Sequence, residues 1–249
     1  MMFDISGKNA IVTGASRGLG SVLAFGLGKA GVNLALVSRT IPTDLIQELQ
    51  ELNVRVVAYS FDFSNPSRIP ELVEKIYQDF EQIDILVNNA GAQRRSDSVD
   101  FSEEDWDYVI NVNQKSVFLM CREVGRHMVK ARHGKIINMA SLLSFQGGYR
   151  VPAYAASKGA VMQFSKSLAN EWAKFNVNVN CIAPGYMLTE MNTALVNDPI
   201  RSEQILVRIP AGRWGHPEDL IGTALFLASP ASDYIHGITL PVDGGWLGR

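Results

Sequence analysis

Short apolar runs recur along this chain, and stretches of helical periodicity separate most of them. The runs lie at residues 9–13 (NAIVT), 33–37 (NLALV), 54–60 (VRVVAYS), 83–88 (IDILVN), 134–139 (GKIINM), 176–183 (NVNVNCIA) and 237–242 (GITLPV). Helical patterns fill about 21–31, 66–80, 102–128, 154–174 and 217–228, and Gly31 closes the first of them as a C-cap. Strands that alternate with helices predict a parallel sheet covered on both faces. The expected class is α/β, a doubly wound Rossmann-type sheet in a single domain over residues 1–249. The most irregular stretch is 185–210. It follows a strand end, and a region of about 185–215 suits a substrate-covering loop.

Composition narrows the function. The chain has 249 residues, 47% hydrophobic and 19% charged, enough for one large core. A formal charge of −2 recruits neither nucleic acid nor an anionic membrane, so neither is an expected partner. No run of 18 apolar residues exists, so no membrane-spanning helix is expected. His127, His133, His216 and His236 form no metal-ligand spacing with Cys121 and Cys181, so no metal is expected. Both cysteines lie in apolar surroundings and read as reduced packing residues. The start MMFDISGK lacks a charged segment followed by an apolar one, which points to no signal peptide and to the cytoplasm.

The first apolar run leads into Thr13-Gly14-Ala15-Ser16-Arg17-Gly18-Leu19-Gly20 and then a helix. Glycines let the backbone turn tightly and approach a pyrophosphate, which the helix N-terminus then meets with unpaired N–H groups. The spacing is Gly-x-x-x-Gly-x-Gly rather than the commoner Gly-x-Gly-x-x-Gly. An acidic residue about twenty positions on would bind a ribose 2′-hydroxyl. Here Ser38-Arg39 stand at the end of the second run, with no acid before Asp44. Arg39 can pair with a 2′-phosphate and Arg17 offers a second cation, so this end favours NADP(H).

Tyr154 and Lys158 lie four residues apart, thirteen after Ser141. On a helix that spacing shares one face. A phenol with an ordinary pKa of about 10 is a poor acid or base at neutral pH. A nearby ammonium would lower it towards working pH, and a serine hydroxyl would hold the substrate oxygen.

With Asp62-Phe63, Asn88-Asn89-Ala90-Gly91, Asn113 and Pro184-Gly185, these motifs resemble the short-chain dehydrogenase/reductase family over nearly the whole chain. The resemblance implies that Tyr154 is the general acid/base, Lys158 its partner and a ribose ligand, Ser141 the substrate-orienting hydroxyl and Asn113 the support of a water relay. It assigns cofactor contacts to Gly14, Ser16, Arg17, Gly18, Leu19, Gly20, Ser38, Arg39, Asp62, Phe63, Asn89, Ala90, Gly91, Tyr154, Lys158, Pro184, Gly185 and Met187. It also implies a homotetramer. The stretches SLLSFQGG (141–148), APGYM (183–187), IPAGRWG (209–215) and DGGW (243–246) resemble a subgroup acting on sugar acids of the 2-keto-3-deoxy-gluconate or 2-deoxy-gluconate type, for which NAD(H) is the implied cofactor.

A sugar acid needs a cationic anchor. Arg94, its neighbour Arg95 and Arg150 lie in segments expected at the carboxyl ends of strands, where such sheets bind ligands. Gln146 and Trp214 are candidates for contact with sugar hydroxyls or a ring face, and Ser141 and Tyr154 complete the substrate set. The same machinery would also serve a 3-ketoacyl thioester or gluconate. A nucleotide sensor without chemistry would have no need of Tyr154 and Lys158 together.

Overall fold

A computed structural model describes residues 2–249. Its elements run β1 (Asn9–Thr13), α1 (Gly18–Lys29), β2 (Asn33–Ser38), α2 (Thr43–Glu51), β3 (Val56–Ser60), α3 (Ile69–Phe80), β4 (Ile85–Asn88), α4 (Glu103–Ile110), α5 (Ser116–Ala131), β5 (Gly134–Met139), α6 (Pro152–Trp172), β6 (Val177–Pro184), α7 (Thr193–Val196), α8 (Pro199–Leu206), α9 (Ile221–Ala228) and β7 (Thr239–Val242). The strands form one sheet in the order β3-β2-β1-β4-β5-β6-β7, and every pairing is parallel. The expected doubly wound α/β architecture is therefore the observed one.

The apolar runs are continuous because both sheet faces are covered. Side chains alternate across a strand, and the core divides accordingly. Ile11, Val37, Leu86, Ile136 and Val179 pack with α3, α5 and α6. Ala10, Val12, Leu36, Val87, Ile137 and Ile182 pack with α1, α2 and α9 on the other face. Strand order reverses between β1 and β4, which opens a crevice at the carboxyl ends of the strands.

Three elements differ from expectation. Helix α2 falls where the periodicity marked none; it buries only Leu45 and Leu49, too few apolar positions to register. The helix expected over 102–128 is two helices joined by a π turn, Asn111–Lys115. The region 185–215 carries α7 and α8, the latter capped by the Asp198 carboxylate, which accepts from Ile200 N and Arg201 N.

Candidate active site

The glycine turn is locked from below. Thr13 Oγ1 accepts from the backbone N–H groups of Asn89 and Ala90, both at 3.0 Å. The Asn89 amide donates to Thr13 O at 3.0 Å and Gly14 O at 3.3 Å. A Cβ on Gly14, whose φ is +68°, would lie 2.8 Å from Ala90 Cα, so only glycine fits. Gly18, at φ +58°, differs: a Cβ there would meet nothing within 4 Å. The turn is packed on its protein side and open on its outer side, and the first turn of α1 carries no acidic residue. That is the cradle a pyrophosphate requires. Ser16 and Leu19 are half-buried at its rim.

At the end of β2, Ser38 is buried and donates to Thr40 O at 2.7 Å. Arg39 is exposed, and its guanidinium forms no ion pair among the described residues. Arg17 is exposed too, but Glu190 holds it at 2.8 Å. Asp62 is exposed and accepts from Ser64 N, while Phe63 is buried edge-on against Phe61. These positions fit a cofactor carrying a 2′-phosphate, with Arg39 available to it.

Ser141 leaves the end of β5 in extended conformation and caps the short turn Leu142–Ser144, accepting from Leu143 N at 3.1 Å. Ser144 Oγ donates to Lys158 O at 2.7 Å, which ties this turn to α6. Pro152 opens α6, so Tyr154 and Lys158 occupy its first two turns. The Ser141 hydroxyl lies near the Tyr154 phenol and acts to lower its pKa. Asn113 sits in the π turn, and such turns re-aim one residue inside a helix. Its amide bridges Ala92 N and O, at 2.7 and 2.8 Å, and donates to Ser157 Oγ at 3.1 Å. Ser157 in turn donates to Tyr154 O at 2.7 Å. The four residues expected to carry chemistry are therefore brought to one place by β5, α6 and the π turn.

The charge state differs from expectation. Burial raises the Tyr154 pKa and the Ser141 hydroxyl only partly opposes it. The Lys158 ammonium donates to Met139 O at 2.6 Å and lies 5.7 Å from the centre of the phenol ring. Burial instead lowers the Lys158 pKa to about 8.

A family model described as short chain dehydrogenase matches residues 8–199. The chain belongs to the short-chain dehydrogenase family. It is 53% identical to the 2-dehydro-3-deoxy-D-gluconate 5-dehydrogenase of Dickeya dadantii, over 99% of this chain and 98% of that one. It is 44% identical to the 5-keto-D-gluconate 5-reductase of Escherichia coli, over 99% and 98%. A crystal structure from Agrobacterium tumefaciens, described as a 2-deoxy-D-gluconate 3-dehydrogenase with bound NADP, superposes with a TM-score of 0.93 at 45% identity, covering 100% and 99% of the two chains.

As a short-chain dehydrogenase, the chain is an NAD(P)-dependent oxidoreductase acting on CH–OH groups. The segment expected to face the nicotinamide is shaped by close contacts. Gly185 N donates to Val242 O at 2.9 Å, and a Cβ on Gly185 would lie 2.6 Å from Asp243 Cα. Pro184 ends β6, and Met187 is buried and bridged to Gly215. Gly91 is exposed, and a Cβ on it would lie 3.9 Å from Lys158 Nζ.

The cationic candidates in this dehydrogenase are mostly occupied. Arg94 pairs with Asp105 at 3.0 Å and lies over the Tyr108 ring. Arg150, in left-handed conformation at φ +64°, pairs with Asp97 at 3.0 Å. Arg95 is exposed and forms no ion pair among the described residues. Gln146 accepts from the Trp246 indole at 3.3 Å, and Trp214 is buried edge-on against Tyr186. Sequence reasoning passed over Thr13, Ser157 and Trp246. Thr13 and Ser157 lie inside the motifs already singled out, and only their hydrogen bonds reveal what they do.

Proposed function

We propose that this dehydrogenase interconverts the secondary alcohol and ketone of a sugar acid of the 2-keto-3-deoxy-gluconate type, with NADP(H). The observation that carries this reading is the placement of Ser141 at the end of β5 with Tyr154 and Lys158 on the first two turns of α6, in a chain 53% identical to a 2-dehydro-3-deoxy-D-gluconate 5-dehydrogenase.

The cofactor rests on the open outer side of the glycine turn, with Arg39 and a released Arg17 against the 2′-phosphate and Lys158 towards the nicotinamide ribose. When bound, the nicotinamide gives or takes the hydride. Ser141 and Tyr154 hold the substrate oxygen between their hydroxyls. During reduction Tyr154 Oη passes its proton to that oxygen, and its raised pKa keeps the proton there at neutral pH until it is needed. During oxidation Tyr154 must first release its proton before its oxygen can take the hydroxyl proton, a step that the raised pKa favours only as pH rises. Lys158, with a pKa of about 8, is able to resupply protons at working pH. Asn113 positions α6 through Ser157 and Tyr154 O.

The segment 185–215 covers the substrate through Tyr186, Trp214 and α8. Gluconate is the second substrate to test, because the 44% identical relative is named a 5-keto-D-gluconate 5-reductase. The half-exposed Phe118 and the neighbouring Phe164 on α5 and α6 suit subunit contact in a homotetramer, and the working location is the cytoplasm.

Initial rates at the nicotinamide absorbance, with 2-keto-3-deoxy-gluconate, its 5-keto partner and gluconate against NADP(H) and NAD(H), test the reading. Turnover of the deoxy sugar acid that is faster with NADP(H) is the expected result. Binding of cofactor without turnover of any sugar acid would sink it.

A further inference from the structure

Gln146 lies five residues beyond Ser141, on the turn that Ser141 itself caps, and its backbone N–H closes that turn onto Leu142 O at 3.2 Å. Its side chain is half-buried, and Oε1 accepts from Trp246 Nε1 at 3.3 Å. The indole N–H is a donor only, so this contact fixes which end of the amide is which. Oxygen faces Trp246, and Nε2 has no hydrogen-bond acceptor among the described residues. We propose that Trp246, fourth from the last residue of the chain, is a positioning residue for substrate: it holds Gln146 so that the loop beside Ser141 presents an N–H donor, matched to a carboxylate or ketone oxygen. This rests on the functional reading above.

The chain places Trp246 with some care. Gly244 and Gly245 both have positive φ, +64° and +91°. Asp243 then accepts from Gly245 N at 2.9 Å and Leu247 N at 2.8 Å, which locks the final turn. The indole is buried against Leu142, Ile205, Ile209 and Trp214, and Tyr186 packs on it with ring centres 4.7 Å apart. Arg208 lies over it at 4.1 Å, and Arg249 donates to Val207 O at 2.9 Å. One side of the ring therefore joins α8 and its following turn, and the N–H edge joins the Ser141 loop. A free glutamine would offer oxygen or nitrogen equally and lose part of its binding to orientation.

Trp246→Phe removes the N–H together with part of the buried ring, so some packing is lost with it. The expected result is a KM for the sugar acid raised about fivefold, the weight of one hydrogen bond, with kcat and NADPH affinity unchanged and a melting temperature lowered by the lost packing. Gln146→Ala should raise KM by at least as much, and adding Trp246→Phe to it should change nothing more. The indole N–H signals in a nitrogen–proton correlation spectrum give a readout free of substrate: the Trp246 signal should move in Gln146→Ala. An unmoved indole signal, multiplying KM effects, or an unchanged KM in Trp246→Phe would each overturn the proposal. A wild-type enzyme inert towards sugar acids would instead sink the functional reading, and the indole signal would still decide whether the pair exists.

Discussion

The two ends of this one sheet are built on opposite rules. At the amino ends, polar groups close on one another. Asp84, just before β4, has a nearly buried carboxylate that accepts from Lys8, His133, Gln82 and the backbone N–H of Asn9. Lys135, buried at the start of β5, pairs with Asp233 at 2.6 Å, and the Asn178 amide pins the carbonyls of Ser232, Asp233 and Ile235. At the carboxyl ends, Arg39 and the Gln146 amide nitrogen have no side-chain partner among the described residues, and the outer side of the turn at Gly18 is open. One end closes its polar groups on one another, and the other, although Thr13, Asn89, Asn113, Arg94 and Arg150 are paired there, leaves Arg39 and the outer side of the glycine turn open. Substitutions at the two ends should therefore separate stability from activity.

The sharpest separation is expected at Tyr154. Tyr154→Phe removes the only hydroxyl proposed to move the substrate proton, and general acid–base groups typically contribute about 10²–10⁴-fold. Loss of about 10³-fold in kcat, with cofactor affinity and melting temperature unmoved, is the expected outcome of stopped-flow and thermal measurements. Near-normal turnover would place the proton elsewhere.

Asp84→Ala should do the reverse. Burial alone would raise this carboxyl's pKa, but the bonds from His133, Asn9 N and Gln82 and the charge of Lys8 outweigh it and hold it well below the usual carboxylate range. A depressed folded-state pKa stabilises above the ordinary carboxylate range and loses that contribution as pH falls through the folded value. The variant should unfold about 2–3 kcal/mol more easily in urea at pH 7, with the gap to wild type narrowing as acid is added. Its kcat at 25 °C should be unchanged. An activity loss without a stability loss would break the division between the two ends.

Arg39→Ala probes a charge that supports nothing in the protein. NADPH affinity should fall about tenfold, the scale of one charge-assisted phosphate contact, while NADH affinity and stability hold. Equal losses for both cofactors would show that Arg39 does not read the 2′-phosphate.

The same division explains what the sequence made legible. The central strands were readable because both sheet faces are covered, so their runs are largely apolar. Tyr154, Lys158, Ser141 and the glycine turn were readable because their spacing is local to one turn or one helix face. What could not be read depends on contacts between distant segments. The π turn at Asn113 leaves the apolar pattern of its helix almost intact. The Lys158 ammonium goes to a carbonyl on β5 rather than to the phenol, and nothing in a Tyr-x-x-x-Lys spacing marks that. The Asp105 and Asp97 partners of Arg94 and Arg150 lie in a helix and a loop whose approach only the fold determines.

The smallest effect should come from Glu190, and it tests whether an ion pair at the open end is provisional. Glu190 and Arg17 are each more than two-thirds exposed, and such pairs contribute little to stability. Yet this pair joins the glycine turn to the covering segment, and it engages one of the two cations expected near the 2′-phosphate. Glu190→Gln removes the competing carboxylate without changing side-chain size. NADPH should bind about twofold more tightly at low salt, the gain should vanish in high salt as screening takes over, and melting should not move. Weaker cofactor binding, or a melting temperature lower by several degrees, would mean that the Arg17–Glu190 pair is structural after all, and that the open end of the sheet obeys the rule of the closed one.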